Sequence, residues 1–322
     1  MSISANDGST CSAMNTGGVD CWGKDYITNV FHVLPTPYPG VWKAKTVSTG
    51  FHYNCALLWN ATIKCWGDGN YGKLGNGQTE DSSVPVTVSG ITNATAVSAG
   101  GYHACALLAT REIACWGRNY SGALGNGTMV DSSVPVHVVG INNAVAISAG
   151  FENDETCAVL STGAVNCWGA NEWGQLGNGT IVASPTPVGV QGITTATAVA
   201  AGGNHVCAVL ASGGVDCWGN NSEGGLGDGT ENSSSVPVAV KAITSASAVG
   251  VAQRGYSCAL LTQGDVYCWG RNSKDQLGAG LPVPRSLVPV RALISGATSI
   301  STALGHACSM LAAGGADCWG YN

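Results

Sequence analysis

The chain has 322 residues and a net charge of −6, and only 10% of its residues are charged, against roughly 25% in typical soluble domains. A nucleic-acid surface needs Lys and Arg gathered on one face, so this composition argues against a nucleic-acid partner. No apolar run approaches the roughly 20 residues of a membrane span, so membrane insertion is not expected.

The first predicted element is a short strand of small residues, SISAN, directly after Met1. No signal peptide is visible before it, so we expect a mature or trimmed region. The chain then repeats one unit seven times, each copy having two cysteines ten positions apart, and the second cysteine always begins a Cys-Trp-Gly triplet. In chain order the pairs are Cys11 and Cys21, Cys55 and Cys65, Cys105 and Cys115, Cys157 and Cys167, Cys207 and Cys217, Cys258 and Cys268, and Cys308 and Cys318.

The third unit shows the order of predicted elements within one copy. A strand of small residues at 96–100 precedes the loop GYHA, the hairpin strands CALL and IACWG follow, and a glycine-rich loop leads to an extended SSVPVHV. Short Val, Ile, Leu and Ala runs interrupted by Gly, Asn and Pro indicate strands and turns without a helical period.

The spacing of the units predicts the architecture. The first cysteines recur after 44, 50, 52, 50, 51 and 50 residues, and a period near 50 is typical of propellers and solenoids. We therefore predict an all-β fold, a single seven-bladed β-propeller spanning residues 1–322, whose ring closure removes most exposed sheet edges. Only six extended segments separate the seven hairpins, so one blade should have three strands. The hairpins are centred near residues 11–21, 55–65, 105–115, 157–167, 207–217, 258–268 and 308–318.

The turn inside each cysteine pair sets the strand register. Five of the seven turns have glycine at the third position, whereas Ala61 and Arg111 stand there in the second and third units. A three-residue hairpin loop favours a left-handed residue at that point, and it would place Cys105 opposite Cys115 as a non-hydrogen-bonded pair about 4.5 Å apart at Cα. That distance suits a disulfide if the compartment is oxidising. Buried free thiols and metal ligation remain as alternatives, although zinc sites use closer cysteine spacings.

Several segments resemble the repeat of the regulator of chromosome condensation family. WGRNYSGALGNG at 116–127, WGANEWGQLGNG at 168–179 and WGRNSKDQLGAG at 269–280 are similar to its W-G-x-N-x-x-G-Q-L-G signature, and SAGGYHACALL at 98–108 is similar to its other half. The resemblance covers the whole chain and implies a seven-bladed propeller. Two features depart from it: residues 24–43 lack the L-G-x-G turn, and the cysteine pairs replace other residue types, which suggests a bacterial-type variant.

The resemblance also implies where binding occurs, because family members bind other proteins through one propeller face. They include exchange factors for a small GTPase, a plant ultraviolet photoreceptor and secreted inhibitors of β-lactamase. The photoreceptor uses a tryptophan cluster, and this chain has no tryptophan at the comparable loop positions, so light sensing is not expected. The loop between the first two strands varies between units, which makes it the candidate binding face. Its candidate residues are Phe51, His52, Tyr53, Tyr102, His103, Phe151, Glu152, Asp154, Asn204, His205, Arg254, Tyr256 and His306.

Some of these residues have a second interpretation. His103, His205 and His306 occupy one repeat position and are expected to hydrogen-bond a neighbouring loop rather than bind a ligand. The acidic run at 152–155 could hold a cation or be a solvated loop, and we favour the solvated loop. Asn126 and Asn178, in the glycine-rich loops, are expected to mark the opposite face.

The sequence favours a binding protein over an enzyme. No Ser-His-Asp order or carboxylate pair recurs with catalytic spacing, so we expect no catalytic residues, no cofactor and no metal. Low charge and complete cysteine pairing favour a secreted or surface module, extracellular or periplasmic, that recognises a protein or a glycan. A guanine-nucleotide exchange factor for a small GTPase and a secreted enzyme inhibitor resembling the β-lactamase-inhibitor propellers are the alternatives.

Overall fold

The computed structural model describes residues 2–6, 8–26, 29–151 and 154–321. These residues form seven antiparallel sheets arranged as a seven-bladed β-propeller, which confirms the predicted fold class. The strands of the first four blades are β1 (Ser2–Asn6), β2 (Ser9–Ala13), β3 (Val19–Lys24) and β4 (Phe31–Pro37); β5 (Ala44–Thr49), β6 (Tyr53–Leu58), β7 (Ile63–Gly67) and β8 (Ser82–Thr87); β9 (Ala94–Ala99), β10 (His103–Leu108), β11 (Ile113–Gly117) and β12 (Ser132–His137); β13 (Ala144–Ala149), β14 (Glu155–Leu160), β15 (Val165–Gly169) and β16 (Ser184–Gly189).

The remaining three blades continue the same order. The fifth has β17 (Ala196–Ala201), β18 (His205–Leu210), β19 (Val215–Gly219) and β20 (Ser234–Ala239), and the sixth has β21 (Ala246–Val251), β22 (Tyr256–Leu261), β23 (Val266–Arg271) and β24 (Arg285–Arg291). The seventh has three described strands, β25 (Ser301–Thr302), β26 (His306–Met310) and β27 (Ala316–Gly320), as the sequence predicted. One short 3-10 turn, Asn70–Gly72, lies in the loop after β7.

The hairpin register follows the turn chemistry. Cys105 lies opposite Cys115 and Leu107 opposite Ile113 in the β10–β11 pair. Ala61 and Arg111 adopt the left-handed conformation that glycine takes in the other turns, with φ of 64° and 66°. The fold therefore keeps this turn even where its sequence disfavours it.

All seven predicted cysteine pairs are disulfides within their own hairpins, with Cα–Cα distances of 4.0–4.1 Å, and neither free thiols nor metal ligation is needed to account for them. The bridges join Cys11 to Cys21, Cys55 to Cys65, Cys105 to Cys115, Cys157 to Cys167, Cys207 to Cys217, Cys258 to Cys268, and Cys308 to Cys318.

The bridges of the second to sixth blades belong to the hydrophobic core. All ten of their cysteines are fully buried, including the second cysteine of each pair, which is Cys65, Cys115, Cys167, Cys217 or Cys268. These bridges therefore link the second and third strands within each blade and form no part of an exposed surface.

The innermost strands are joined by serine hydroxyls that point from one blade to the next. Ser48 Oγ accepts a hydrogen bond from the backbone N–H of Ala99 at 2.9 Å, and Ser98 Oγ does the same for Ala149 at 2.9 Å. Ser301 Oγ, in the seventh blade, accepts from the Ala5 N–H of the first at 2.9 Å. The same kind of contact that joins consecutive blades therefore also closes the ring.

The Cys-Trp-Gly tryptophans pack beneath the loop of the preceding blade. Trp168 is fully buried, and its indole Nε1 donates to the Ala123 carbonyl at 2.8 Å. The blade-to-blade core is completed by the leucine of each glycine-rich loop, such as Leu124 beside Trp168. The corresponding indole hydrogen bonds are Trp116 to Lys73 O, Trp218 to Gln175 O, Trp269 to Gly225 O and Trp319 to Gln276 O.

In the first blade, residues 24–43 replace the glycine-rich loop, as the sequence indicated. This segment covers Trp66 of the second blade in a different way. Trp66 stacks on the Tyr38 ring with 4.8 Å between centroids, and the Trp66 indole Nε1 is buried without a hydrogen-bond partner among the described residues. Burial of the Tyr38 hydroxyl, with Asp25 nearby, raises the pKa of Tyr38 to about 12. An aromatic stack therefore replaces the carbonyl contact used between later blades.

Candidate functional site

The turns between first and second strands lie at the same end of the propeller as the starts of the loops between third and fourth strands. The Arg118 N–H donates to the Tyr102 carbonyl at 2.9 Å, and Lys73 Nζ donates to the Phe51 carbonyl at 3.1 Å. Asn126 and Asn178 lie in loops that begin and end at this end of their sheets. Gln191, which lies just beyond the far end of β16, donates to the Asn178 carbonyl at 2.9 Å, so the loop extends away from the end at which it begins. The expectation that Asn126 and Asn178 mark the opposite face therefore stays a prediction.

Four of the predicted contact residues come together at this end. Phe51 lies 5.6 Å from Tyr102 and 5.9 Å from Phe151 between ring centroids, and its ring stacks on His52 at 3.8 Å. All four side chains are half-buried. They come from the second, third and fourth blades, so a continuous aromatic surface crosses two blade boundaries.

Sequence reasoning missed four further residues of this surface. Tyr26 stacks on His52 at 3.6 Å between ring centroids, and Tyr71 lies edge-on to Tyr102 at 6.0 Å. The Arg118 guanidinium lies 3.9 Å from the Tyr102 centroid, and Lys73 Nζ lies 5.6 Å from it. Tyr71, Lys73 and Arg118 follow a Cys-Trp-Gly triplet, in the loops between third and fourth strands. These loops could have been included in the predicted binding face, because they start at the same end of each sheet as the turns between first and second strands. We call the rings of Tyr26, Phe51, His52, Tyr71, Tyr102 and Phe151 the aromatic face.

The buried carboxylate of Asp154 holds the Arg118 guanidinium of this surface in place. Asp154 is 1% exposed, and its Oδ2 accepts a hydrogen bond from Arg118 Nε at 2.6 Å. His103 Nδ1 lies 3.8 Å from Asp154 Oδ1. Asp154 and Glu155 are both buried, which corrects the expectation of a solvated acidic loop. Glu152 and its neighbour at 153 lie outside the described residues.

A second ion pair lies directly beneath the rings. Lys73 Nζ is 2.8 Å from Asp68 Oδ2, and the Lys73 side chain is fully buried. Burial lowers the pKa of Lys73, although the Asp68 carboxylate opposes this effect. Burial would raise the pKa of Asp68, but hydrogen bonds from Lys73 and Asn70 outweigh it and lower that pKa. Two paired cations, Lys73 and Arg118, therefore contact the rings of the aromatic face.

The three repeated histidines bind the next blade, as their structural interpretation predicted. His103 Nε2 is 2.7 Å from Thr156 Oγ1, and His205 Nε2 is 2.8 Å from Ser257 Oγ. His306 Nε2 is 3.1 Å from Thr10 Oγ1 across the ring closure. Burial lowers the pKa of His205 to about 4. These residues join one blade to the next. His103 and His205 are buried, whereas His306 is half-buried.

Tyr53 and Tyr256 occupy the same repeat position as the histidines. Both are fully buried, and their hydroxyls donate at 2.6 Å to the carbonyls of His103 and His306 respectively. Burial raises the pKa of both hydroxyls, and for Tyr53 the charges of Asp154 and Asp68 raise it further. This corrects the prediction that their rings belong to the binding face.

The remaining two candidates lie apart from the aromatic face. Asn204 is half-buried and Arg254 is exposed, and both line a polar cleft of about 240 Å³ with Arg271 and Glu223. Among the described residues, no group of three His, Cys, Asp or Glu side chains is placed to hold a metal ion. The same residues contain no helix long and apolar enough to cross a membrane.

Comparison with known proteins identifies a repeat family. The sequence model of the regulator of chromosome condensation (RCC1) repeat matches residues 65–107, 114–152, 162–209 and 212–260, and a second model of this repeat matches 94–123, 196–224 and 254–276. No curated protein matches the chain in a sequence search.

Solved structures share the fold at low sequence identity. Yeast RCC1 (Prp20), crystallised bound to Kap60, superposes with a TM-score of 0.84 at 18% identity, covering 96% of this chain and 80% of that one. Human WBSCR16 superposes at 0.83 with 20% identity, covering 97% and 87%. The CRINKLY WD40 ectodomain of the Arabidopsis thaliana receptor kinase ACR4 superposes at 0.61 with 21% identity, covering 99% and 93%.

Proposed function

Because this chain belongs to the regulator of chromosome condensation (RCC1) repeat family, we propose that it is a non-enzymatic binding module whose aromatic face recognises a partner protein outside the cytosol. The observation that carries this proposal is the aromatic face itself, in which rings from the first four blades meet beside two paired cations. Propellers of this family bind proteins, and the proposal assigns that role to one surface.

The cysteines support an exterior location. All fourteen form disulfides within the described part of the chain. Such bridges persist in oxidising compartments and are rare where thiols are kept reduced. This chemistry favours an extracellular, periplasmic or cell-surface site of action.

The composition of the face suits a protein interface. Aromatic and arginine side chains dominate interface hot spots, and here half-buried rings flank the Arg118 guanidinium over Tyr102. His52, Tyr71 and Asp154 hold left-handed backbone conformations, with φ of 62°, 64° and 56°. Such conformations are costly for residues other than glycine and cluster at functional sites.

The ring geometry favours a protein over a glycan. Phe51 is tilted 53° to Tyr102 and 79° to Phe151, and Tyr71 is 87° from Tyr102. These rings present edges and faces in alternation, which suits interdigitating side chains, whereas a sugar ring stacks on one flat exposed ring. A glycan array therefore serves as the contrasting arm of the test.

The experiment compares capture of exterior proteins by the wild type and by Tyr102→Ala and Phe151→Ala variants. Both side chains are half-buried, so the melting temperature should change little, while affinity for a captured partner should fall by more than about 1 kcal/mol for each change. The matched controls are Thr110→Ala and Thr162→Ala, in exposed hairpin turns at the other end of the propeller.

The opposite outcomes are equally definite. If the two ring variants keep full affinity while the turn variants lose it, the other end of the propeller is the binding face. Stimulated nucleotide release from a small GTPase would support the exchange-factor alternative, and inhibition of a β-lactamase would support the inhibitor alternative.

A further inference from the structure

Two boundaries of the propeller are built alike, the one between the third and fourth blades and the one between the fifth and sixth. His103 Nε2 lies 2.7 Å from Thr156 Oγ1 at the first, and His205 Nε2 lies 2.8 Å from Ser257 Oγ at the second. All four residues are buried. Because the same contact holds both imidazole rings, the two boundaries can be compared residue by residue.

The boundaries differ in the residue that directly precedes the second strand of the later blade. At the first boundary it is Asp154, whose Oδ1 lies 3.8 Å from His103 Nδ1 and whose Oδ2 accepts a hydrogen bond from Arg118 Nε at 2.6 Å. At the second boundary it is Gly255. Both backbones are left-handed, with φ of 56° at Asp154 and 75° at Gly255. The backbone conformation is therefore shared, and the carboxylate is what differs.

A polar cleft of about 240 Å³ lies beside Gly255, and His205 is among its lining residues. The Ser257 hydroxyl donates to the Gly225 carbonyl at 3.1 Å, so Ser257 Oγ accepts its second hydrogen bond from His205 Nε2. His205 Nδ1 is then the unprotonated nitrogen, and it has no hydrogen-bond partner in the described part of the chain. The equivalent nitrogen of His103 faces the Asp154 carboxylate.

Two guanidinium groups line the same cleft, which we call the Arg254 cleft. Arg254 is exposed, and its guanidinium makes no ion pair or hydrogen bond with a described residue. Arg271 Nη1 lies 3.9 Å from Glu223 Oε1, a separation longer than a hydrogen bond. Two cations therefore meet one loosely held carboxylate, and a second carboxylate would be opposite in charge to the cleft.

The Arg254 cleft lies at the same end of the propeller as the aromatic face. Arg254 belongs to the turn between the first and second strands of the sixth blade, and Asn220 and Ser222 belong to the loop after the third strand of the fifth. Turns and loops of these two kinds also provide Tyr102 and Arg118. A protein that covers this end of the ring can therefore contact both places.

We propose that the Arg254 cleft binds the carboxylate of an acidic side chain of the partner protein, with Arg254 and Arg271 holding it as Arg118 holds Asp154. The inference rests on the proposed function, because it assigns the cleft to the partner that covers the aromatic face. A volume of about 240 Å³ is below the roughly 300–1,000 Å³ of small-molecule pockets. A single side chain therefore suits this cleft better than a free ligand.

The first test needs no partner and uses a blocked glutamate, N-acetyl-glutamate N-methylamide, as the probe. Titrated into the 322-residue protein with its disulfides intact, it should bind one-to-one and shift the NMR signals of the Arg254 guanidinium and the His205 ring. The blocked glutamine of the same shape lacks the charge and should shift neither signal. Equal binding of the two probes, or binding of neither, overturns the proposal.

The protonation of His205 gives a second readout. Burial lowers the pKa of His205 to about 4, and a carboxylate beside Nδ1 stabilises the protonated ring. Saturation with the blocked glutamate should therefore raise the pKa of His205, and the probe should bind more tightly as the pH falls from about 7 to about 5. The other charged groups at the cleft are Glu223, Arg254 and Arg271, and the variants below separate their effects. An unchanged pKa in the saturated protein contradicts the proposed position of the carboxylate.

Two variants should change probe binding in opposite directions. Arg254→Gln removes an exposed, unpaired cation and should weaken binding by about fivefold or more. Glu223→Gln removes the carboxylate that competes for Arg271 and should strengthen binding by about twofold. Lys241→Gln and Glu231→Gln, at exposed positions of the fifth blade and the loop that precedes its outer strand, make the same charge changes and should leave probe binding unchanged.

The captured partner then separates this proposal from the proposed function. Arg254→Gln should lower affinity for that partner by about tenfold and reduce its salt dependence, in addition to the loss caused by Tyr102→Ala. A partner that needs Tyr102 and Phe151 but is unaffected by Arg254→Gln overturns the carboxylate site and leaves the proposed function standing, and the cleft would then take a free carboxylate. A partner that needs Arg254 but neither ring supports the carboxylate site and overturns the proposed function.

Discussion

The contacts between the later blades differ from those between the seventh and the first. Trp168 and Trp218 are fully buried, and each donates its indole hydrogen bond to the loop of the preceding blade. Trp22 occupies the same repeat position in the first blade but is half-buried and lines an open cleft. The same triplet therefore has two environments, which are set by the neighbouring blade.

This difference shows that the packed unit of the fold does not coincide with one sequence repeat. The tryptophan of one copy and the loop of the previous copy form one packed layer, as Leu124 and Trp168 do. A blade is thus stabilised by sequence that lies about 45 residues earlier. In repeat proteins, stability is a sum of unit and interface terms, so the two kinds of interface should contribute differently.

The largest expected effect is the loss of stability when the tryptophan is removed, and it should differ between these two interfaces. Trp168→Ala removes a fully buried side chain and should lower the free energy of unfolding by about 3–5 kcal/mol. Trp22→Ala removes a half-buried ring and should cost less than half as much. Denaturant unfolding of both variants, with the disulfides intact, measures the difference. Equal losses would mean that the cleft is closed in solution.

A second prediction uses pH to weaken one of the later interfaces. The pKa of His205 is about 4 in the folded protein and 6.5 in its unfolded reference, so the unfolded chain binds more protons between these values. The stability that His205 contributes is therefore complete above pH 6.5 and is lost as the pH falls towards 4, on the order of 3 kcal/mol in total.

The control for this prediction is His205→Gln, which cannot gain the proton. Its unfolding free energy should fall less than that of the wild type between about pH 6.5 and about pH 4.5, the range in which the unfolded histidine takes up its proton, when both are measured in urea at fixed salt. Parallel pH profiles for the two proteins would show that His205 keeps its proton affinity in the fold.

The disulfides offer a third contrast. Cys318 is exposed and Cys21 is half-buried, whereas both cysteines of each bridge in the second to sixth blades are fully buried. Graded reduction followed by alkylation and mass spectrometry should therefore open Cys308–Cys318 first and Cys11–Cys21 second. Each bridge closes a loop of about eleven residues, worth roughly 2.5–3 kcal/mol in the chain-entropy model. Simultaneous loss of all seven would instead indicate that reduction requires global unfolding.

The sequence determined the fold more fully than the site. The turn position and strand alternation predicted that Cys105 faces Cys115, because register depends on local chemistry. Tyr53 and Tyr256 were misplaced because they begin strands and are buried against the next blade. Arg118 and Tyr71 were missed because only the loops between first and second strands were considered, whereas both residues contact Tyr102 from loops that follow a third strand. The strand order predicts that these loops share one end of the sheets, but which of their side chains reach Tyr102 depends on the folded path of each loop.

The smallest expected effect concerns the hairpin turns. Arg111 has φ of 66°, where Gly163 and Gly213 stand in later blades with φ of 83° and 82°. A left-handed conformation costs a residue with a Cβ about 1–2 kcal/mol, and a change to glycine removes this cost. Part of the resulting gain in stability is lost because glycine gives the unfolded chain more conformational entropy. Arg111→Gly should therefore stabilise the protein by about 0.5–1 kcal/mol.

The matched variant for this change is Arg111→Ala, which removes the exposed side chain but keeps the Cβ. Its melting temperature should stay close to that of the wild type, while Arg111→Gly should melt about 1–2 °C higher. Gly163→Ala gives the reverse case, because a Cβ there would lie 2.4 Å from the Thr194 carbonyl oxygen, and it should be clearly destabilising. If Arg111→Gly lowers stability while Arg111→Ala does not, backbone strain in this turn is not the controlling term, and unfolded-chain entropy is.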